Sequence, residues 1–254
     1  MFGLHNFKGS CWVNAALQAL FASPILGANY SKPIQDTTNT VDVCLETVWR
    51  QKGVSGLQEL FQCIRTTYIP AGNDVGDSHE LLVHLCDKLP WLDAQFRFKM
   101  ARRLECDSCK DISMVEDSVI EMELSPTKRH TPILEALQDY ISPHPIPERK
   151  CEKCSHAGCT SQMLFGSFPR VLMIHRSCHS ESLDYSSILV MNSHKYALFA
   201  VVCYNGAHWW TYARNLPPGN SWYELDDTRV RQMSPSQFPV ATTMRILLYF
   251  LLEN

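Results

Sequence analysis

The sequence has no excess of positive charge. It holds 23 lysine and arginine residues against 26 aspartate and glutamate residues, which gives a formal net charge of -3 over 254 residues. A domain that binds nucleic acid usually carries a basic patch or stripe. No run of basic residues interleaved with aromatic residues occurs here, so the composition argues against a nucleic-acid partner.

The sequence also lacks a segment typical of a secretory signal or a membrane helix. Residues 11–28 are apolar, but Asn14 and Gln18 interrupt them, and Lys8 alone makes a poor basic flank. A central helix that is buried on several sides explains them better. Residues 245–252 are too few to span a bilayer as a helix and indicate a core strand. We therefore expect no membrane association and an intracellular monomer, in the cytoplasm, the nucleus or both.

Low-complexity segments and internal repeats are absent as well, and the apolar pattern divides the chain into three regions. Residues 1–95 place apolar residues at three- and four-residue spacing, which predicts helices. Residues 96–166 combine short strands, two cysteine pairs and one helix, and residues 167–254 hold β-branched or aromatic runs between turn residues. These patterns predict an α+β fold with a sizeable core. The predicted helices are 14–21, 41–49, 57–68, 78–89 and 132–140, and the predicted strands are 118–124, 170–175, 195–203, 208–214 and 221–225.

Cys11 stands where a glycine-punctuated loop runs into the first helical stretch. A cysteine in the first turn of a helix feels the partial positive charge of the unpaired amides, and this charge favours the thiolate. His208 follows far downstream, and Asp226 and Asp227 follow His208. A thiol, a helper base and an acid in this order are the parts of a thiol hydrolase. Taken singly, each has a commoner structural role, and most of the eleven cysteines are expected to be small buried residues.

The loop before Cys11 resembles the first motif of the ubiquitin-specific protease family, which runs Gly-Leu-x-Asn-x-Gly-Asn-Thr-Cys-Tyr-x-Asn. The residues that match it without a gap are Gly3, Leu4, Asn6, Cys11 and Asn14. Lys8, Gly9 and Ser10 depart from the motif, although Ser10 keeps a hydroxyl that is able to cap the helix. The chain is thus identified as a compact and divergent member of this family, within the papain-like cysteine peptidase superfamily.

The resemblance implies a single catalytic domain with a thumb, palm and fingers architecture. Residues 1–95 would form a helical thumb that carries the nucleophile, and residues 96–166 would form zinc-binding fingers. Residues 167–254 would form an antiparallel palm sheet that carries the histidine and the aspartate.

A second motif covers residues 77–81 and resembles the family's Gln-Gln-Asp-x-x-Glu-Phe box, with Val75 and Gly76 where the two glutamines would stand. The resemblance implies that Asp77 and Glu80 line the channel for the substrate's C-terminal tail, which carries basic side chains. The residues alone allow a simpler role, with Asp77 as a helix cap and Glu80 three residues later in the first turn. Both roles can hold together.

Two Cys-x-x-Cys pairs, with 41 residues between them, are each able to offer two thiolates to one tetrahedral ion. They are Cys106 with Cys109 and Cys151 with Cys154. Disulfides are the less favoured alternative, because the chain shows no secretory signal and has an odd number of cysteines. The sequence therefore predicts one structural Zn²⁺, with Cys159, His156 and Cys178 as nearby spare ligands.

The resemblance assigns the chemistry residue by residue. His208 would activate Cys11, Asp226 would orient His208, and Asp227 is the reserve candidate for that role. Asn6 would stabilise the oxyanion beside the Cys11 backbone N–H. Trp209, where the family has tyrosine after the histidine, would contact the substrate.

The predicted function is a cysteine isopeptidase that removes ubiquitin, or a ubiquitin-like modifier with a Gly-Gly tail, from lysines of other proteins. The loop before His208 and the segment between Arg176 and Tyr196 are shorter than in the family. Because surface loops determine partner specificity, the sequence does not decide between ubiquitin and a ubiquitin-like modifier. The alternative is a catalytically silent adaptor that binds the modifier. The intact site residues favour the enzyme, and a zinc-knuckle interaction module alone leaves both flanking lobes unexplained.

Overall fold

The structure, a computed structural model, describes residues 1–32, 38–68, 76–125, 130–176, 182–216, 221–234 and 242–252. Its helices are α1 (Cys11–Phe21), α2 (Pro24–Asn29), α3 (Thr40–Arg50), α4 (Leu57–Thr67), α5 (Ser78–Lys88), α6 (Pro90–Phe96) and α7 (Ile133–Ile141). Its strands are β1 (Phe98–Cys106), β2 (Ile112–Val119), β3 (Met122–Leu124), β4 (His130–Pro132), β5 (His144–Lys150), β6 (Ala157–Phe165), β7 (Val171–Arg176), β8 (Ser182–Asp184), β9 (Ile188–Met191), β10 (His194–Tyr204), β11 (Trp209–Arg214), β12 (Trp222–Asp226), β13 (Arg229–Gln232) and β14 (Met244–Leu252).

Helix α1 is the central helix of the molecule, and every residue from Cys11 to Leu20 is buried. Its alanines leave room for close packing against β11, where the Thr211 hydroxyl donates to the Ala15 carbonyl at 2.7 Å. On another side, the Ser78 hydroxyl at the start of α5 donates to the Trp12 carbonyl at 2.8 Å. Polar side chains thus satisfy the helix where apolar packing brings neighbours close.

The largest sheet has eight strands, in the order β13-β12-β11-β10-β14-β7-β3, with β9 also paired to β10. Its neighbours are antiparallel, apart from the parallel pair β3 and β7. Strand β10 is buried from Tyr196 to Cys203 because apolar clusters cover both faces of the sheet. Burial on both faces explains why this strand is a continuous apolar run instead of an alternating one.

A second sheet has four strands in the order β2-β1-β6-β5 and carries both cysteine turns at one end. One turn follows β1 and the other follows β5. Strand β2 lies at the edge and is exposed along almost its whole length, including Ile112, Met114 and Val115. Strands β4 and β8 form a separate parallel pair.

The α+β class and the antiparallel sheet predicted from the sequence are confirmed. The predicted strand over 118–124 is wrong as a single element, because the chain changes sheets at residues 120–121. Strand β2 pairs with β1 in the four-stranded sheet, whereas β3 pairs with β7 in the eight-stranded one. The sequence analysis also missed α2 and α6, two short helices that each begin with proline. Among the described helices, none combines the length and the apolar character needed to cross a membrane.

Gly3 tests how closely the first loop packs against the palm sheet. A Cβ atom added to Gly3 would lie 2.4 Å from the backbone oxygen of Thr228. Because the clash is with backbone and not with a flexible side chain, the backbone itself would have to shift. Gly3→Ala should lower the free energy of unfolding by about 1–3 kcal/mol, measured by urea titration. The matched control is Gly27→Ala in α2, where the nearest atom is 3.9 Å away and alanine favours the helix. Equal stability of the two variants would contradict the close packing.

Candidate active site

Cys11 is the first residue of α1, and Asn6 holds the loop in front of it. The Oδ1 atom of Asn6 accepts hydrogen bonds from the backbone N–H groups of Gly9 and Ser10, both at 3.0 Å. Gly9 has φ +91°, a left-handed conformation that suits glycine. Ser10 occupies the N-cap position, but its hydroxyl accepts from the Phe7 N–H at 2.8 Å and makes no capping bond. The expectation that Ser10 caps the helix is therefore wrong, because the loop itself uses that hydroxyl.

The Cys11 side chain is only 9 % exposed, and this burial dominates its acidity. Burial raises the pKa of the thiol, the Trp209 backbone N–H lowers it, and the negative charge of Asp227 raises it again. The backbone N–H groups of Trp12 and Cys11, at the helix start, also lower it. The favourable helix-start effect is thus present, but the net pKa is higher than that of an ordinary thiol.

His208 lies at the turn between β10 and β11, next to the end of β12. The Asn205 side chain fixes this turn, because its Oδ1 atom accepts from the N–H groups of Ala207 and His208 at 3.0 and 2.9 Å. The Nε2 atom of His208 lies 2.6 Å from Oδ1 of Asp226. When Nε2–H donates this bond, the lone pair of the neutral ring is on Nδ1, where it can accept a proton.

Asp227 joins the turn after β12 to α1 and to the loop in front of it. Its Oδ2 atom accepts from Asn6 Nδ2 at 2.8 Å, and its Oδ1 atom accepts from Asn14 Nδ2 at 2.7 Å. Its backbone oxygen accepts from Gln18 Nε2 at 2.9 Å and from the Leu4 N–H at 2.8 Å. The two adjacent aspartates therefore have different partners: one contacts the histidine, and the other contacts the asparagines.

The structure brings the sequence-predicted catalytic residues into one place. His208, Asp226 and Asp227 offer side-chain atoms within 4.8 Å of one another, and the N–H of the residue after His208 contacts the Cys11 thiol. Asn6 uses Nδ2 to bind Asp227, but an amide nitrogen carries two hydrogens. One N–H of Asn6 thus binds Asp227, and the other has no hydrogen-bond acceptor among the residues that the structure describes.

The predicted substrate-contact residues line one cavity of about 320 Å³ between the helical region and the large sheet. We call it the thumb–palm cavity. Its lining residues are Gly76, Asp77, His79, Glu80, His175, Arg176, Tyr204, Trp209 and Arg245. Asp77 also caps α5 by accepting from the His79 N–H at 2.6 Å, and Glu80 accepts from the Tyr68 hydroxyl. The capping role and the lining role therefore occur together.

Two histidines in this cavity form a group that the sequence analysis missed. The rings of His79 and His175 are stacked, with centroids 3.7 Å apart and planes 7° from parallel, and His79 also contacts the Glu121 carboxylate. Burial lowers the pKa of His79, but its contact with Glu121 gives a net rise, whereas burial and the neighbouring His79 lower the pKa of His175. The only advance signal was that His79 falls inside the second motif.

The four predicted metal-binding cysteines also converge, at the end of the four-stranded sheet. The sulfur atoms of Cys106 and Cys154 are 3.7 Å apart, as are those of Cys109 and Cys151, and all four lie within 4.8 Å of one another. Backbone N–H groups of Cys109 and Ser108 lower the pKa of the Cys106 thiol to about 6. The spare candidates Cys159 and His156 are not part of this group, and Cys178 lies outside the described residues.

Comparison with known proteins gives one family and one fold. The family model for ubiquitin carboxyl-terminal hydrolase matches residues 2–249. A comparison with curated proteins gives no match. The SAGA DUB module Ubp8/Sgf11/Sus1/Sgf73 bound to monoubiquitin is similar in fold, with a TM-score of 0.87 at 15% identity over all of this chain and 69% of that one. The same module bound to ubiquitin aldehyde gives 0.83 at 14% over all of this chain and 70% of that one. At such identities the likeness is one of fold.

The raised pKa of Cys11 predicts how the free protein reacts with a small alkylating agent. The rate of iodoacetamide addition at Cys11, followed by mass spectrometry of the peptide that contains it, should keep rising with pH beyond the usual thiol range, because only the thiolate reacts. The alkylation rate of a second cysteine serves as the reference. Cys109 is exposed but belongs to the four-cysteine group, so the half-buried Cys63 of α4 is used. A rate that is already constant below pH 7 would show a thiolate–imidazolium pair in the free protein and contradict this prediction.

Proposed function

The chain belongs to the ubiquitin carboxyl-terminal hydrolase family of thiol-dependent peptidases, and we propose that it is an isopeptidase. In this proposal it cleaves the Gly-Gly tail of ubiquitin, or of a ubiquitin-like modifier, from lysine side chains of conjugated proteins. The observation that carries the proposal is the His208–Asp226 contact of 2.6 Å, together with the hydrogen bond from the Trp209 backbone N–H to the Cys11 thiol. The similar module in complex with monoubiquitin supports a partner of the ubiquitin type, either ubiquitin or a ubiquitin-like modifier.

The geometry supports a division of work among the catalytic residues. Asp226 holds the Nε2–H side of His208, so Nδ1 takes the proton of Cys11 as the sulfur attacks the carbonyl carbon of the isopeptide bond. The free N–H of Asn6 and the backbone N–H of Cys11 then bind the oxyanion. The protonated His208 gives its proton to the departing lysine amine. Water, activated by His208, hydrolyses the thioester and frees the modifier's carboxylate.

We propose that residues 1–95, 96–166 and 167–254 act as thumb, fingers and palm. The thumb and palm form the cavity that receives the modifier's tail, lined by Asp77, Glu80 and Trp209. The fingers project an exposed strand, β2, toward the body of the modifier. None of the ten cysteines that the structure describes forms a disulfide, which suits a reducing compartment, so we place the protein in the cytoplasm or nucleus.

The four finger cysteines fit a structural zinc ion. In a tetrahedral ZnS₄ site with Zn–S bonds of about 2.3 Å, neighbouring sulfurs are about 3.8 Å apart. The two measured pairs, at 3.7 Å, match this separation. Four thiolates leave no open position on the metal, so the ion would hold the two turns together and would activate no water.

A panel of modifiers with C-terminal electrophiles tests the function directly. We expect ubiquitin or one ubiquitin-like modifier to label Cys11, and Cys11→Ala to lose both the labelling and roughly 10⁴-fold or more of the turnover. The matched control is Cys63→Ala, which removes a half-buried thiol of α4 and should keep both. Labelling of Cys11→Ala at the wild-type rate, or no labelling of the wild type by any modifier, would refute the proposed activity.

The two aspartates should differ in what they support. Asp226→Ala should lower kcat about 100- to 10,000-fold with a small change in stability, because its side chain is 34% exposed and serves mainly His208. Asp227→Ala should lower the free energy of unfolding by about 1–3 kcal/mol, because buried Asn14 loses its acceptor, and should lower kcat less. Steady-state kinetics and urea unfolding of both variants check this. The reverse ranking of the kcat values would make Asp227 the triad acid.

Metal content separates the zinc ligands from the spare candidates. The purified protein should hold about one zinc ion per chain, measured by elemental mass spectrometry. Cys109→Ser should lower this zinc content toward zero, because it removes one of four thiolates. Cys159→Ser is the matched control and should keep the metal. The Cys109→Ser variant should lose more activity toward a full-length modifier than toward a short tail peptide. Loss of zinc in Cys159→Ser would show a different ligand set.

A further inference from the structure

The thumb–palm cavity contains charges of both signs, on opposite walls. Asp77 and Glu80 come from α5 and its cap, whereas Arg176 and Arg245 come from β7 and β14 of the palm sheet. A channel that only served basic tails would need the acidic wall alone. Binding of a basic tail therefore does not explain why Arg176 and Arg245 line this cavity.

The acidic wall is already engaged within the protein. The Asp77 carboxylate accepts the backbone N–H of His79 at 2.6 Å as the cap of α5. The Glu80 carboxylate accepts the Tyr68 hydroxyl. Each keeps a negative charge, but part of its hydrogen-bonding capacity is used before any tail enters the cavity.

The guanidinium group of Arg245 keeps unused hydrogen-bond donors. It is 8% exposed, and its Nε atom is buried without a hydrogen-bond partner. Its Nη1 atom makes only long hydrogen bonds, 3.3 Å to the Thr242 carbonyl and 3.5 Å to the Met244 carbonyl. Among the described residues it forms no ion pair, and Asp77 acts on it only through its longer-range charge. A buried cation with unused donors gains from a new acceptor.

The groups around Arg245 do not supply that acceptor. Arg176 is a cation itself, and its Nη2 atom already donates to the Thr242 carbonyl at 2.8 Å. His79 is paired with Glu121, and His175 is stacked on His79. A second cation brought into this corner by a ligand would meet Arg245 in a medium of low dielectric constant, where like charges repel strongly.

We propose that Arg245 is a specificity-determining residue that selects modifiers by the residues just before Gly-Gly. The favoured tail presents a carboxylate, amide or hydroxyl oxygen to the guanidinium, and a tail with a basic side chain at that place is disfavoured. This inference rests on the proposed function, because it assumes that the tail lies in the thumb–palm cavity. It deepens that function by naming the chemical class of tail.

The test uses one full-length modifier in three forms, in which the basic residue before Gly-Gly is kept, changed to glutamine or changed to glutamate. Affinities are measured with the Cys11→Ala chain, so the ranking does not require turnover, and kcat/KM is measured with the intact chain. We expect the glutamine and glutamate forms to be favoured by about 10- to 100-fold. Arg245→Met should abolish this preference, whereas Arg245→Lys should keep the preference for glutamate. Arg231→Met, an exposed arginine of β13 outside the cavity, is the matched control.

The outcomes separate this inference from the proposed function. Equal or better binding of the basic form, or an unchanged ranking in Arg245→Met, would overturn the inference while leaving hydrolysis intact. The expected ranking without any turnover by the intact chain would support the inference and refute the catalytic proposal. Binding of none of the three forms would refute both. Thermal unfolding of each variant, compared with the wild type, shows that the change in ranking is not a loss of fold.

Discussion

The set of hydrogen bonds between Asp227 and helix α1 with its preceding loop is the contact on which the rest of the candidate site depends. The residues that meet there come from opposite ends of the chain, and no single element holds them. One aspartate accepts four hydrogen bonds, through both carboxylate oxygens and its own carbonyl, from Leu4, Asn6, Asn14 and Gln18. Because Asp226, the last residue of β12, directly precedes Asp227, fixing Asp227 to the helix also fixes the acid that contacts His208. Asp227, the neighbour of the proposed triad acid, thus holds the thumb and palm together at the candidate site.

Apolar packing supports this contact on both sides. The same core cluster contains side chains of α1, such as Leu17, and side chains of the palm strands, such as Val202 and Ile246. The thumb and palm therefore share one core under the site and separate only at its mouth, where the thumb–palm cavity opens. Polar groups are concentrated at that mouth. The burial that lets this core form is also what raises the pKa of Cys11.

Much of the fold and most of the site were predictable, because motifs in a fixed order report both chemistry and topology. Periodicity predicts the helical region and the later strands, and spacing predicts two metal-binding cysteine pairs. The thumb and antiparallel palm, and the meeting of the site residues, were implied by the resemblance to the family. Other features depend on contacts between distant segments, which periodicity does not encode. The passage of the chain from one sheet to the other at residues 120–121, the loop contact that occupies Ser10, and the different partners of Asp226 and Asp227 are of this kind. The cavity position of Arg245 was not predictable either, because an arginine at the start of an apolar strand gives no sign in the sequence that it lines a cavity.

The two open edges of the four-stranded sheet differ in what they can recruit. Strand β5 includes Pro145 and Pro147, which have no N–H to offer to an additional strand, so this edge resists β-pairing with another chain. Strand β2 has no proline and presents Ile112, Met114 and Val115 to solvent. Between these two edges, self-association would therefore proceed from β2, and a polar substitution on β2 is the rational route to suppress it.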